Sequence, residues 1–236
     1  MHISRRAWFH WHDAYSYHQN VLIERLPDIQ TAAQHNERIH IPGRGGITVW
    51  GGDYVGHVKR FECAVFDAAF INGVSAWLQG AGRLIISDNP TQYVNATIQP
   101  QPLSFIRAGL RAYRFAAVFD CDPFQYNVDH VNDRLVFAGG TAYRFAGKGS
   151  ADSLPVLTVY GHGDVSLSHG GRSMTIRGLN GSVRLDSANQ TAHNGSGTPI
   201  NDHVRGDYLI LSPGENTLTT TGSVTRIEIE PTWRWL

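Results

Sequence analysis

The residues best equipped for chemistry in this chain are its histidines and one pair of carboxylates. Twelve histidines are present, and His10, His12 and Asp13 fall in a His-x-His-Asp run. If that run is extended, the two imidazoles share one face and offer the donor type that zinc takes. A third ligand at motif spacing is absent, so no metal site is assigned. Asp120 and Asp122 flank Cys121, a spacing that invites an acid–base pair for glycoside hydrolysis. Asp120 reads instead as a strand terminus, and Asp122 as the residue that Pro123 restricts. His162, Asp164 and His169 sit beside glycines and read as turn residues. A histidine pH switch is chemically available, but nothing selects one position. There is no Gly-x-Ser-x-Gly elbow, no His-Glu-x-x-His and no triad ordering. Pro42-Gly43-Arg44-Gly45-Gly46 lacks the Gly-Lys-Ser/Thr ending of a phosphate loop. The chain therefore reads as a non-enzyme with no catalytic, cofactor or metal residue.

Sugar contact is the rival reading. Trp233 and Trp235 alternate on one face, and the polar stretch 187–206 offers Asn, Asp and His side chains. A structureless segment of that length is uncommon unless functional or mobile. A tryptophan near a chain end also serves to cover a core. Arg205-Gly206-Asp207 spells an adhesion tripeptide but reads as a turn into the strand at Tyr208.

The elements that must position these residues are mostly strands. With 236 residues the chain is long enough for one large β domain or two ordinary ones. Charged residues make up only 17%, and 25 glycines favour a turn-rich β architecture. The formal net charge is zero, which gives no footprint for nucleic acid and removes one defence against self-association. Cys63 and Cys121 lie in apolar runs and read as small buried hydrophobes. Met1 to Asn20 has no apolar signal core, and no run reaches the roughly 20 apolar residues of a membrane span. Synthesis in a reducing cytosol is expected.

Tyr113, Phe115, Ala117, Phe119 and Cys121 share one face of a long strand, which Pro123 is expected to stop. Before it lie strands at Val21–Leu26, Arg38–Ile41, Lys59–Val65, Arg83–Ser87 and Gln92–Gln99, and one helix. The helix is read with Asp67 as N-cap, with Phe66, Phe70, Val74, Trp77 and Leu78 on one face, and with Gly80 as its left-handed cap. Residues 1–20 lack a period and read as an irregular start or an edge. Beyond Tyr126 come eight short strand patterns, with turns expected at Asn180-Gly181, Pro213-Gly214 and Gly222. The fold class is mainly β: an N-terminal α+β sheet domain with one helix, residues 1–128, and a C-terminal antiparallel β-sandwich or jelly roll, residues 129–236.

These residues resemble the distal tail protein (Dit) family of long-tailed bacteriophages. The resemblance runs through Pro42–Gly46, Trp77-Leu-Gln-Gly-Ala-Gly-Arg-Leu84, Asp88 with Pro90 and Tyr93, and Phe119-Asp-Cys-Asp-Pro-Phe-Gln-Tyr126. It continues through Gly206-Asp-Tyr-Leu209, Leu211-Ser-Pro-Gly-Glu-Asn216, and Arg234 with Trp235. Gly45 stands where the family's Gly-Arg-Asp-Gly turn carries its acidic residue. The resemblance implies a tail-tube-like first domain that closes into a hexameric ring and a galectin-like second domain on the periphery. It implies contacts with the tail tube protein, the tape-measure protein and the tail hub or tip proteins, and a place at the virion tail tip. On this reading Gly43, Arg44, Gly45, Gly46, Tyr54 and His57 are the candidate inter-subunit contacts. Pro123, Phe124 and Tyr126 are the candidate seam between domains. The alternatives are a monomeric carbohydrate-binding module, with Trp233 and Trp235 as glycan contacts, and a hydrolase with an unrecognised site.

Overall fold

The computed structural model describes residues 7–40, 42–43 and 45–236. The chain is mainly β and divides into two compact units, Met1–Gln125 with Leu236, and Tyr126–Trp235.

The strands of the first unit are β1 (Phe9–Trp11), β2 (Ala14–Tyr15), β3 (Val21–Arg25), β4 (Ala33–Ile39), β5 (Ile47–Val55), β6 (His57–Val65), β7 (Ala81–Ile86), β8 (Asn89–Ile98), β9 (Ile106–Arg107) and β10 (Tyr113–Asn127). One sheet runs in the order β2-β1-β7-β8-β10-β6-β3, with β9 added on β10, while β4 and β5 form a two-stranded sheet of their own. Within the larger sheet β10 pairs with β6 antiparallel, from Tyr113↔Val65 to Cys121↔His57. Phe115, Ala117, Phe119 and Cys121 are buried on one face, as their alternation predicts. Pro123 does not stop the strand, which continues to Asn127. The ladder to β6 already ends at Cys121, so the missing proline N–H breaks none of its bonds.

The aromatic start is not irregular padding. Phe9 and Trp11 are fully buried. Phe9 lies 4.7 Å from Phe61 and 5.3 Å, stacked, from Trp77, and Trp11 lies 4.9 Å from Phe119. A three-residue strand is too short to show a period, so the sequence hides this contribution. The helix, α1 (Ile71–Trp77), is shorter than its pattern suggests. Asp67 Oδ1 accepts from the Ala69 N–H at 2.9 Å, but it caps the 3₁₀ turn Ala68–Phe70 that precedes α1. That tighter winding rotates the stripe. Val74 and Leu78 are buried, while Phe66 is 58% exposed and Phe70 is also exposed. Gly80 takes a positive φ of 74°, two residues past the helix-ending Leu78.

The inward row of β6 reads His57, Lys59, Phe61, Cys63, Val65. Both cysteines are free and buried. Burial pushes the Cys63 thiol well up and the Cys121 thiol up to about 12, so both are protonated and inert at neutral pH. Both ring nitrogens of His57 are buried without a hydrogen-bond partner. Burial first, then the Lys59 charge, lowers its pKa.

The second unit comprises β11 (Leu135–Ala138), β12 (Ala142–Gly147), β13 (Val156–His169), β14 (Arg172–Asp186), β15 (Thr191–Asn194), β16 (Val204–Gly206) and β17 (Gly214–Glu230). The sheet order is β11-β17-β13-β14-β15, with β12 on β17 and β16 on β14. Six of the short strands expected from sequence are the halves of three long ones. β17 meets β12 through Gly214–Thr219 and β11 through Arg226–Ile229. β14 meets β16 through Met174–Ile176 and β15 through Val183–Asp186. The sheet thus curls over its own core. The bends are at glycine. Along β14 the buried side chains switch from even (Met174, Ile176) to odd (Leu179, Val183, Leu185) positions across Gly178. Along β17 they switch from even (Leu218, Thr220) to odd (Ile227, Ile229) across Gly222. Such a shift is what a β-bulge does. Asn180-Gly181 and Gly222 are therefore bends within strands, not hairpin turns. The hairpin between β13 and β14 turns instead at Gly170-Gly171, both with positive φ, inside the His169↔Arg172 pair.

Two polar arrangements close the fold. Asn216, buried, donates to the Ser212 and Gly214 carbonyls at 2.9 Å each and accepts from the Ser212 N–H at 3.1 Å. That bracket explains the Leu211–Asn216 run. Glu228 is 2% exposed and lies between Arg134 and Arg226.

Two outcomes follow for stability. Gly222 has φ 91°, and an added Cβ would come within 2.3 Å of the Asp164 carbonyl oxygen, whereas Gly214 has φ 84° in open space. Gly214→Ala should cost about 1–2 kcal/mol from its backbone alone, and Gly222→Ala on the order of 4 kcal/mol. Urea denaturation of both variants checks the ranking. For His57 the folded pKa is depressed, so its contribution is complete above about pH 6.5 and is lost as pH falls through the folded value. The wild-type unfolding midpoint should drop from about pH 7 to about pH 5. His57→Phe should shrink that drop, and an unchanged drop would refute the role.

Candidate functional site

Among the described residues the β4–β5 hairpin pairs with no third strand. Its strands pair from Ala33↔Val55 to Ile39↔Ile47. Among residues of known exposure in the two strands, all but Tyr54 are exposed. A lone two-stranded ribbon is at best marginally stable in water, so its base must be anchored. The Tyr54 ring meets Phe124 edge-on at 5.4 Å, and the Tyr54 hydroxyl accepts from Gln34 Nε2 at 3.4 Å. Gly56 lies so close to the Cys121 carbonyl that a Cβ would come within 2.3 Å of its oxygen. Only glycine lets the chain leave the arm there and enter the β6 ladder at His57. A bulge between Gln34 and Asn36 faces Gly51 and Gly52 and bends the arm.

The five described residues among the six sequence-predicted contacts do not form one cluster. Gly43, with φ 80°, Gly45 and Gly46 lie exposed in the loop that joins the strands. Arg44 lies outside the described residues. Tyr54 and His57 lie at the base, separated from the loop by the length of β4, about 20 Å at strand rise. Of the seam residues, Phe124 serves the base of the arm, while Pro123 and Tyr126 are half-buried.

The remaining candidates are taken up by the fold. Asp120 Oδ1 accepts from Gln99 Nε2 at 2.7 Å and faces away from the core, as does Asp122. His10 meets Tyr15 edge-on at 4.7 Å, and burial lowers its pKa. His12 has a positive φ of 50°, and its Nε2 donates to the Gln79 carbonyl at 2.9 Å, so the run is not extended past Trp11. Among the described residues no group of three or more His, Cys, Asp or Glu is gathered as a metal needs. Trp233 is 4% exposed inside the core of the second unit, and Trp235 packs against the same cluster. A buried indole presents no face to a sugar, so Trp233 is not placed for the glycan contact expected of it, while Trp235 is half-buried. The stretch 187–206 is not a loop either, since it carries β15, a 3₁₀ turn at Asn201–His203 and β16.

No helix among the described residues is long and apolar enough to cross a membrane. No protein-family model matches the chain, and no curated protein matches it by sequence. Solved structures do. The crystal structure of the Dit protein (gp 19.1) of phage SPP1, described as a paradigm of the hub adsorption apparatus in phages that infect Gram-positive bacteria, superposes with a TM-score of 0.78. The identity is 12%, over 98% of this chain and 99% of that one. The activated baseplate of phage P2 with Ca gives a TM-score of 0.44 at 8% identity, over 94% and 97%. With 98% of its length matched and both units included, this chain has the fold of a phage Dit protein.

Proposed function

We propose that the chain is a non-enzymatic structural component of the tail tip of a long-tailed bacteriophage. In this reading the first unit closes into a hexameric ring that joins the tail tube to the hub or baseplate. The second unit lies on the ring's periphery, and the tape-measure, tube and hub proteins are the partners. The subunits are made in the host cytoplasm and end in the virion. The observation that carries this reading is the match to the SPP1 Dit hub protein over the whole chain. Two physical features support it. A ring of identical subunits needs a surface on one copy that fits a different surface on the next, and the β4–β5 arm is a two-stranded ribbon that pairs with no third strand among the described residues. A zero net charge leaves no long-range repulsion between copies.

Native mass spectrometry and negative-stain electron microscopy of the full chain test it, and six-subunit rings are expected. A discrete monomer at all concentrations that associates with no tail protein would sink the proposal. Removing residues 37–50 to leave a short turn should abolish rings while leaving the circular dichroism of the remaining strands in place. Intact rings in that variant would remove the arm from the interface.

A further inference from the structure

One core-facing position of the first unit carries a charge. Lys59 stands on the inward row of β6, opposite Phe119 and next to Phe61, and is 8% exposed. No ion pair joins its ammonium to a carboxylate among the described residues. Partial desolvation of an ammonium that has no counter-ion is costly, and burial of the side chain lowers its pKa accordingly.

The site around it offers amide donors. Lys59 borders a cavity of about 200 Å³, lined also by Gln30, Asn89, Gln92 and Gln125, with Leu84, Ile86 and Val94 among its apolar walls. Asn89 Nδ2 donates to Gln92 Oε1 at 2.6 Å and to Gln125 Oε1 at 3.5 Å, while Asn89 Oδ1 accepts from the Thr91 hydroxyl at 3.0 Å. Both glutamine oxygens are thereby occupied, and each leaves its NH₂ end over as a donor. Asp28 and Asp88 also line the cavity. Asp28 is held by Arg25 at 3.2 Å, and Asp88 is exposed in the β7–β8 turn. One cation, two amide donors and apolar walls suit a singly charged oxyanion on a short aliphatic stem. Two carboxylates near the cavity disfavour a dianion.

We propose that this cavity is a carboxylate-binding site, with Lys59 as the charge partner and the Gln92 and Gln125 amides as the orienting donors. The carboxylate comes from a small organic acid or from an acidic side chain of another chain. The inference does not rest on the ring reading.

The test is thermal unfolding of the full chain in sodium acetate against sodium chloride at matched ionic strength. Acetate should raise the wild-type midpoint saturably, raise that of Gln92→Leu less, and leave that of Lys59→Met unmoved. In chloride Lys59→Met should unfold at or above the wild-type midpoint, because it removes a partly desolvated charge that has no ion pair. Light scattering separates the sources. If another copy supplies the carboxylate, Lys59→Met weakens self-association and acetate competes with it. If a free acid does, association is equal in both and only the acetate response is lost. Equal acetate shifts in wild type and Lys59→Met overturn the site. So does a wild type that shows neither an acetate response nor Lys59-dependent association.

Discussion

The ladder between β6 and β10 is the constraint on which the first unit depends. Its nine antiparallel pairs fix which residues face inward on both strands at once. That register buries Phe61, Phe119 and Cys63 against the N-terminal aromatics and obliges Lys59 to face the same way. It also sets where the ladder can begin. His57 pairs with Cys121, and Gly56, pressed on the Cys121 carbonyl, is the point at which the chain leaves for the arm. A one-residue slip would exchange every inward residue for its outward neighbour. It would destroy the core, the arm's root and the Lys59 cavity together.

The second unit solves a different problem with a different device. A flat sheet of seven strands cannot enclose its own core, so its long strands bend where the buried residues change parity. The bends need glycine for two separate reasons: the positive φ at Gly178, Gly181 and Gly222, and the close backbone approach at Gly161 and Gly222. Asp164 Oδ1 accepts the Gly178 N–H at 2.9 Å and ties two of these bends together.

Legibility in the sequence followed the length of each pattern. The alternation through β10 was long enough to give both the strand and its buried face. The three residues of β1 were too few to reveal Phe9 and Trp11 as core. Asn180-Gly181 looked like a hairpin because positive φ serves a turn and a bulge equally, and only the partner strands distinguish them. Pro123 looked like a terminator because the register that makes its missing donor harmless depends on another strand. For the candidate site, the glycines of the arm loop were visible as a cluster, but their distance from Tyr54 and His57 was not. Lys59 was invisible as a site because a lysine in an apolar row reads as the end of a strand. Its significance depends on Gln92 and Gln125, which lie 33 and 66 positions further along the chain.

The shared strands of the second unit have a consequence for how it comes apart. β13, β14 and β17 each run through both halves of the curl, on either side of the glycine bends. Neither half owns a complete set of strands, so neither can peel away while the other persists. Hydrogen exchange in this unit should therefore be governed by a single opening event rather than by layers with separate lifetimes.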